Sequence, residues 1–268
     1  MTLRRLVVLA LLATAPQPAF AHDFWIALDH WHLPEDGEIK ADFRVGTATE
    51  QERWQLRPER VVAFRIFAPD RAVADRTASL VAPGTEGWYD AMMTVSGVGT
   101  HLLAFETTPA TSDLEAGPFD DYVAHEGLGA VAAHRAALKA PAPNGRELYA
   151  RRAKALIQVG HQCSPQALQP IGLSLEIVPL VNPHCSKGDA MPVEVRFRGK
   201  PLADALVRME NLTEPDGEIG QRTDADGRTS FAMPKSGNWK ISVVWSVPIE
   251  DNPQADYDTL FSSLSFGF

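Results

Sequence analysis

Ile39-Lys40-Ala41-Asp42-Phe43-Arg44-Val45 alternates apolar and charged side chains at every step. Successive side chains of an extended chain point to opposite faces, so this period of two predicts a strand with one buried and one wet side. The pattern continues outward at residues 61–67, 89–95 and 101–107, with Pro-Asp, Pro-Gly and Gly-Val-Gly breakers between the runs. Strands return at 173–178, 192–197, 205–210, 229–232, 239–244 and 260–266, and Thr223-Asp224-Ala225-Asp226-Gly227-Arg228 reads as a tight turn. Many short strands joined by turns point to antiparallel sandwiches.

Between these β-rich stretches the pattern changes. Asp120 and Asp121 stand where N-cap residues belong, before Tyr122, Val123, Leu128, Val131 and Leu138 at helical spacing. Pro141, Pro143 and Gly145 break that segment. Residues 146–159 then read as a second helix, with Leu148, Ala155, Leu156 and Val159 as its apolar stripe and Arg151, Arg152 and Lys154 as its wet side. The expected fold is mainly β: two β-sandwich domains, immunoglobulin-like or prealbumin-like, with a helical insertion between them. The expected divisions are a signal peptide at 1–21, an N-terminal sandwich at 22–115, the insertion at 116–165 and a C-terminal prealbumin-like sandwich at 166–268.

The 268 residues are 45% hydrophobic and 22% charged, too apolar for a disordered chain. Asp and Glu number 34 against 25 Lys and Arg, a net charge of −9, which argues against nucleic acid as a partner. Arg4 and Arg5, an apolar run from Leu6 and Ala19-Phe20-Ala21 form the three parts of a secretory signal. Cleavage after Ala21 removes two positive charges and makes the remainder more acidic still. No later stretch is long and apolar enough to span a membrane, so no membrane span is expected in the mature chain.

Export places Cys163 and Cys185, the only two cysteines, where disulfides persist. A bridge between them is one reading. A soft metal set with the adjacent His161 and His184 is the other, although the spacings H-x-C and H-C fit no common zinc module.

Further motifs fall in a fixed order: His22-Asp23-Phe24-Trp25 directly after the cleavage site, Gly145-Arg146-Glu147-Leu148-Tyr149, Leu175-Glu176-Ile177-Val178-Pro179, Asn182-Pro183, and the turn series ending Gly237-Asn238-Trp239. As a set they resemble a bacterial exported family of unknown function, NikM-like, linked to periplasmic components of nickel uptake. The resemblance spans nearly the whole mature chain. It implies a β-rich periplasmic or envelope protein, often encoded near TonB-dependent receptors and metal transport components, and no known catalytic activity. The sequence departs from the family pattern at Val244-Trp245-Ser246, where members often carry a His.

His22 is the leading candidate ligand. Cleavage would make it the terminal residue, whose α-amine and imidazole Nδ1 form a bidentate nitrogen chelate suited to Ni(II) or Cu(II). His30 and His32 flank Trp31 and would share a face if extended, and His101 opens an alternating strand after a glycine-rich turn. His22, His30, His32 and His101 are therefore the candidate metal residues. No nucleophile elbow, zincin motif, phosphate loop or dinucleotide fingerprint occurs, so no enzyme is expected. The expected function is a periplasmic metal-binding or metal-handling accessory of a nickel, copper or iron uptake system. An envelope module docking a TonB-dependent receptor or permease without metal is the alternative.

Overall fold

A computed structural model describes residues 23–81 and 90–268. The signal segment, His22 and Trp88 lie outside the described residues. The chain is mainly β. The opening heptapeptide falls within the strand Gly37–Gly46, where Ile39, Ala41 and Phe43 are buried while Lys40, Asp42 and Arg44 are half-buried, as alternation requires. This strand lies between Asp23–Leu28 and Asp90–Val95, antiparallel to both, with Asp23 opposite Gly46.

A ten-stranded sheet forms the middle layer. Its main path runs Glu218–Arg222, Leu206–Asn211, Asn238–Pro248, Tyr257–Gly267, Gly145–Val159, Gly99–Thr107, Val61–Phe67 and Val73–Asp75. One apolar core lies between this sheet and the Asp23 sheet, where Phe24, Ile39 and Phe43 meet Phe64, Phe105 and Ile157. A second lies between it and the strands Leu175–Pro179, Ala190–Phe197 and Arg228–Ala232, where Ile177, Val193 and Phe231 meet Val207, Ile241 and Leu264.

Residues 146–159, expected as a helix, belong instead to the fifteen-residue strand Gly145–Val159 at the centre of the ten-stranded sheet. It runs parallel to Tyr257–Gly267 and antiparallel to Gly99–Thr107. The physical reason is burial on both faces. Ala153, Ala155, Ile157 and Val159 enter one core and Ala150 and Leu156 the other, which erases the alternation that marks a half-buried strand. Arg151 and Lys154, expected on a wet side, are 7% and 1% exposed. Lys154 donates to Glu176 Oε1 at 2.9 Å, and Glu176 also accepts the backbone N–H groups of Ile171, Gly172 and Leu173. Arg151 lies over the rings of Phe24, Trp54, Tyr149 and Phe261 at 5.3–5.6 Å, so the aromatic faces stand in for water around the cation.

Two helices, α1 (Ala116–His125) and α2 (Gly129–Ala137), precede this strand. Asp120 and Asp121 do not cap α1. The helix starts at Ala116 after Glu115, with Pro118 in the first turn, and Asp120 accepts from the Arg135 guanidinium. Phe119, Tyr122, Val123, Leu128 and Val131 pack on Val244, Tyr257 and Phe261. Gly145 permits this contact, because a Cβ there would fall 2.1 Å from Phe119 Cγ.

Cys163 and Cys185 are bonded in a disulfide, with Cα atoms 6.1 Å apart. The expected turn at 223–228 forms around Asp224, whose Oδ1 accepts from the Asp226 and Arg228 N–H groups. Trp25 and Trp31 are core residues, 0% and 6% exposed. Among the described residues no helix is long and apolar enough to cross a membrane.

Candidate functional site

A cavity of about 410 Å³ opens where α1 meets the first described residue, Asp23. Asp23 and Gly46 form one wall, Tyr122 and His125 of α1 with Glu126 just after it a second, and Arg208 and Glu210 of the strand Leu206–Asn211 the floor. Gly46 takes a φ of +125°, and a Cβ there would overlap the Glu50 carbonyl, so the loop that brings Glu50 to the rim requires glycine.

The floor holds its charges in pairs. The Lys240 ammonium, 0% exposed, donates to Asp23 Oδ2 and approaches Glu210 Oε2, each at 2.6 Å. The Ser242 hydroxyl donates to the same Asp23 oxygen. Burial pushes the Asp23 carboxyl up, but the Lys240 charge and the hydrogen bonds from Lys240 and Ser242 outweigh it, so the pKa lies below the usual value. Burial likewise lowers Lys240, and Asp23 with Glu210 reverses this to a net rise. Arg208 donates to Glu126 Oε2 at 2.5 Å, to Glu218 Oε1 at 3.1 Å and to the His125 carbonyl. Burial and the Asp23 charge still raise Glu126 to about 7, against the pull of Arg208.

Two features point beyond a structural ion network. Glu50, Asp121, Glu218 and the three buried carboxylates outnumber Arg208 and Lys240, which gives the mouth a negative potential that favours cations. The Tyr122 hydroxyl is also buried without a hydrogen-bond partner. Tyr122 is 1% exposed and lines the cavity, so its hydroxyl is a buried polar group left unsatisfied at the cavity wall.

The expected metal residues scatter. His22 lies outside the described residues, one peptide before Asp23. His30 is exposed, its Nδ1 3.3 Å from Asp29. His101 is buried beneath a different cavity, with Nε2 2.7 Å from the Gly97 carbonyl, and burial lowers its pKa. His32 stands beside His161 and His184. His30, His32 and His101 therefore do not converge. Among the described residues no group of three or more His, Cys, Asp or Glu is arranged to hold a metal ion.

Sequence reasoning passed over Tyr122, Glu126, Arg208, Glu210 and Lys240. A signal was present: Arg208 with Glu210, and Lys240 with Ser242, repeat polar groups at intervals of two inside otherwise apolar strands.

Sandwiched sheets with an ion-paired cleft at the start of the first described strand define a β-sandwich protein with a polar pocket. Residues 19–247 match the family described as "Domain of unknown function (DUF4198)", and the chain belongs to that family. No curated protein matches it. Among solved structures it is similar to the D0-D1 domain of Intimin, at 13% identity over 92% of this chain and 98% of that one, with a TM-score of 0.21. Trypsin-activated alpha-2-macroglobulin from Escherichia coli matches at 10% identity over 94% of this chain and 16% of that one, with a TM-score of 0.23. Superpositions this loose carry no functional argument.

Proposed function

We propose that this protein is an exported, periplasmic accessory of a transition-metal uptake system, of the NikM-like kind, that binds Ni(II) or Cu(II) at the Asp23 cleft and passes it to a TonB-dependent receptor or permease. The observation that carries this reading is the position of Asp23 in the wall of an acid-rich cavity. Signal cleavage after Ala21 would attach a terminal His22, with its amine and imidazole, directly to that wall. His125, exposed on the facing helix, offers a further imidazole, and the surrounding carboxylates concentrate cations. The protein then acts by capture and release rather than catalysis. In this reading the α1–α2 hairpin is an insertion between an N-terminal sandwich and a prealbumin-like C-terminal sandwich, and it supplies the helical wall of the cleft.

The test is calorimetric titration of untagged, correctly processed protein with Cu(II) and Ni(II). One equivalent should bind at the cleft, and a single extra residue before His22 should weaken it by at least about tenfold. A processed protein that binds neither ion overturns the reading. Co-purification with an envelope receptor, unaffected by chelator, would then favour a metal-free docking module.

A further inference from the structure

A second cavity, of about 200 Å³, shares no residue with the Asp23 cleft and gathers three imidazoles from distant parts of the sequence. His32 pairs in parallel register with Gln158, which sets it beside the chain leading to His161. The Cys163–Cys185 disulfide then ties the segment carrying His161 to the segment carrying His184.

Two of the rings are oriented by the backbone. His32 Nε2 lies 3.0 Å from the Gly160 carbonyl, and a carbonyl only accepts, so the neutral ring keeps its lone pair on Nδ1. His184 is held by a hydrogen bond with the Leu156 backbone, while its Nε2 is shielded from solvent and has no hydrogen-bond partner. An imidazole anchored to a carbonyl through one nitrogen and bare at the other is the arrangement of a metal-ligating histidine. His161 is exposed, with its ring centroid 5.7 Å from that of His32.

We propose that this cleft is a second transition-metal site, in which His184 Nε2 and His32 Nδ1 receive a Zn(II), Cu(II) or Ni(II) ion and His161 turns in as the third ligand. As they stand the three rings do not form a ligand set; the site closes only when the exposed His161 side chain changes rotamer. Imidazoles without a carboxylate among them select borderline ions over Ca²⁺ or Mg²⁺. The disulfide acquires a task beyond cross-linking, because it fixes the spacing of two of the three ligands. The proposal does not depend on the role of His22.

The experiment uses mature, untagged protein carrying His22→Ala, titrated with Zn(II) by calorimetry and followed through the histidine ring signals in NMR. One equivalent should remain. Zn(II) should shift the His32, His161 and His184 signals and leave His101 unmoved. Adding His184→Gln or His161→Gln should weaken binding by at least about tenfold. The His161 change touches only an exposed residue, so its effect is not one of folding. A His22→Ala protein that binds no Zn(II), or one whose affinity survives both Gln changes, overturns the site. The first of these results would leave the Asp23 reading standing. Conversely, loss of binding in the His184 and His161 variants with no effect of His22→Ala would support this site and count against that reading.

Discussion

Lys240 Nζ and Asp23 Oδ2 lie 2.6 Å apart across a sequence separation of 217 residues, and the pair joins the first described strand to the floor of the acid-rich cleft. Removing the cation would leave Asp23 and Glu210 facing each other without compensation. Lys240→Met is expected to cost about 3–5 kcal/mol of folding stability, as for one broken partner of a buried ion pair. Urea unfolding at neutral pH measures it, and an unchanged midpoint would show that the network holds nothing in place.

Tyr122→Phe should behave in the opposite way. The hydroxyl has no partner, so its removal strands no other group and should leave stability unchanged or raise it by up to about 1 kcal/mol. If the cleft takes a ligand, Cu(II) affinity of the processed protein falls in the same variant. A clear loss of thermal stability would mean that the hydroxyl is satisfied in solution.

The stability of the metal-free protein should fall with acid through His184. Burial, then the neighbouring His32, depresses this imidazole from 6.5 to about 4, and the Leu156 hydrogen bond opposes them only in part. A depressed pKa means that the unfolded chain binds the proton first. The His184 contribution is therefore fully present above pH 6.5 and is lost as pH falls towards 4, in total on the order of 2–3 kcal/mol. Denaturant midpoints at pH 7 and pH 4.5, in chelator, should separate more for the wild type than for His184→Gln. Equal separations would remove His184 as the cause.

Gly145→Ala places a methyl group 2.1 Å from Phe119 Cγ, in the seam between α1 and the central strand. Overpacking of this kind is expected to cost about 1–3 kcal/mol. Phe119→Leu in the same background should recover part of it, and a double-mutant cycle by thermal melting reads the coupling. Additive effects would show that the two positions are not in contact.

The half-buried strands were legible because one face meets water: the stretch around Ile39 to Val45 shows its alternation plainly, and the strand Val61–Phe67 has the expected bounds. The central strand was not legible. Its two faces enter two cores, and Arg151 and Lys154, satisfied by aromatic rings and by Glu176, imitate the wet side of a helix. No residue of the cleft was read as a site from the sequence, and His22, one peptide before Asp23, was the nearest candidate, since Glu126, Arg208 and Lys240 meet through pairings that no local pattern records. Likewise His161 and His184 stood out only as neighbours of the cysteines. Their approach to His32 depends on a two-residue parallel bridge too short to leave a periodic trace.

The parallel pairing of Gly145–Val159 with Tyr257–Gly267 has a kinetic consequence. The Ser265 hydroxyl also reaches back to the Ile26 carbonyl at 2.6 Å, so the last strand braces the first. A chain made from its N-terminal end onward therefore cannot finish its early half and wait; the middle layer stays open until the final strand arrives. Contacts this remote in sequence make for slow closure, with apolar strand edges exposed in the interval. A version ending before Tyr257 should therefore remain a proteolytic substrate rather than a smaller folded protein.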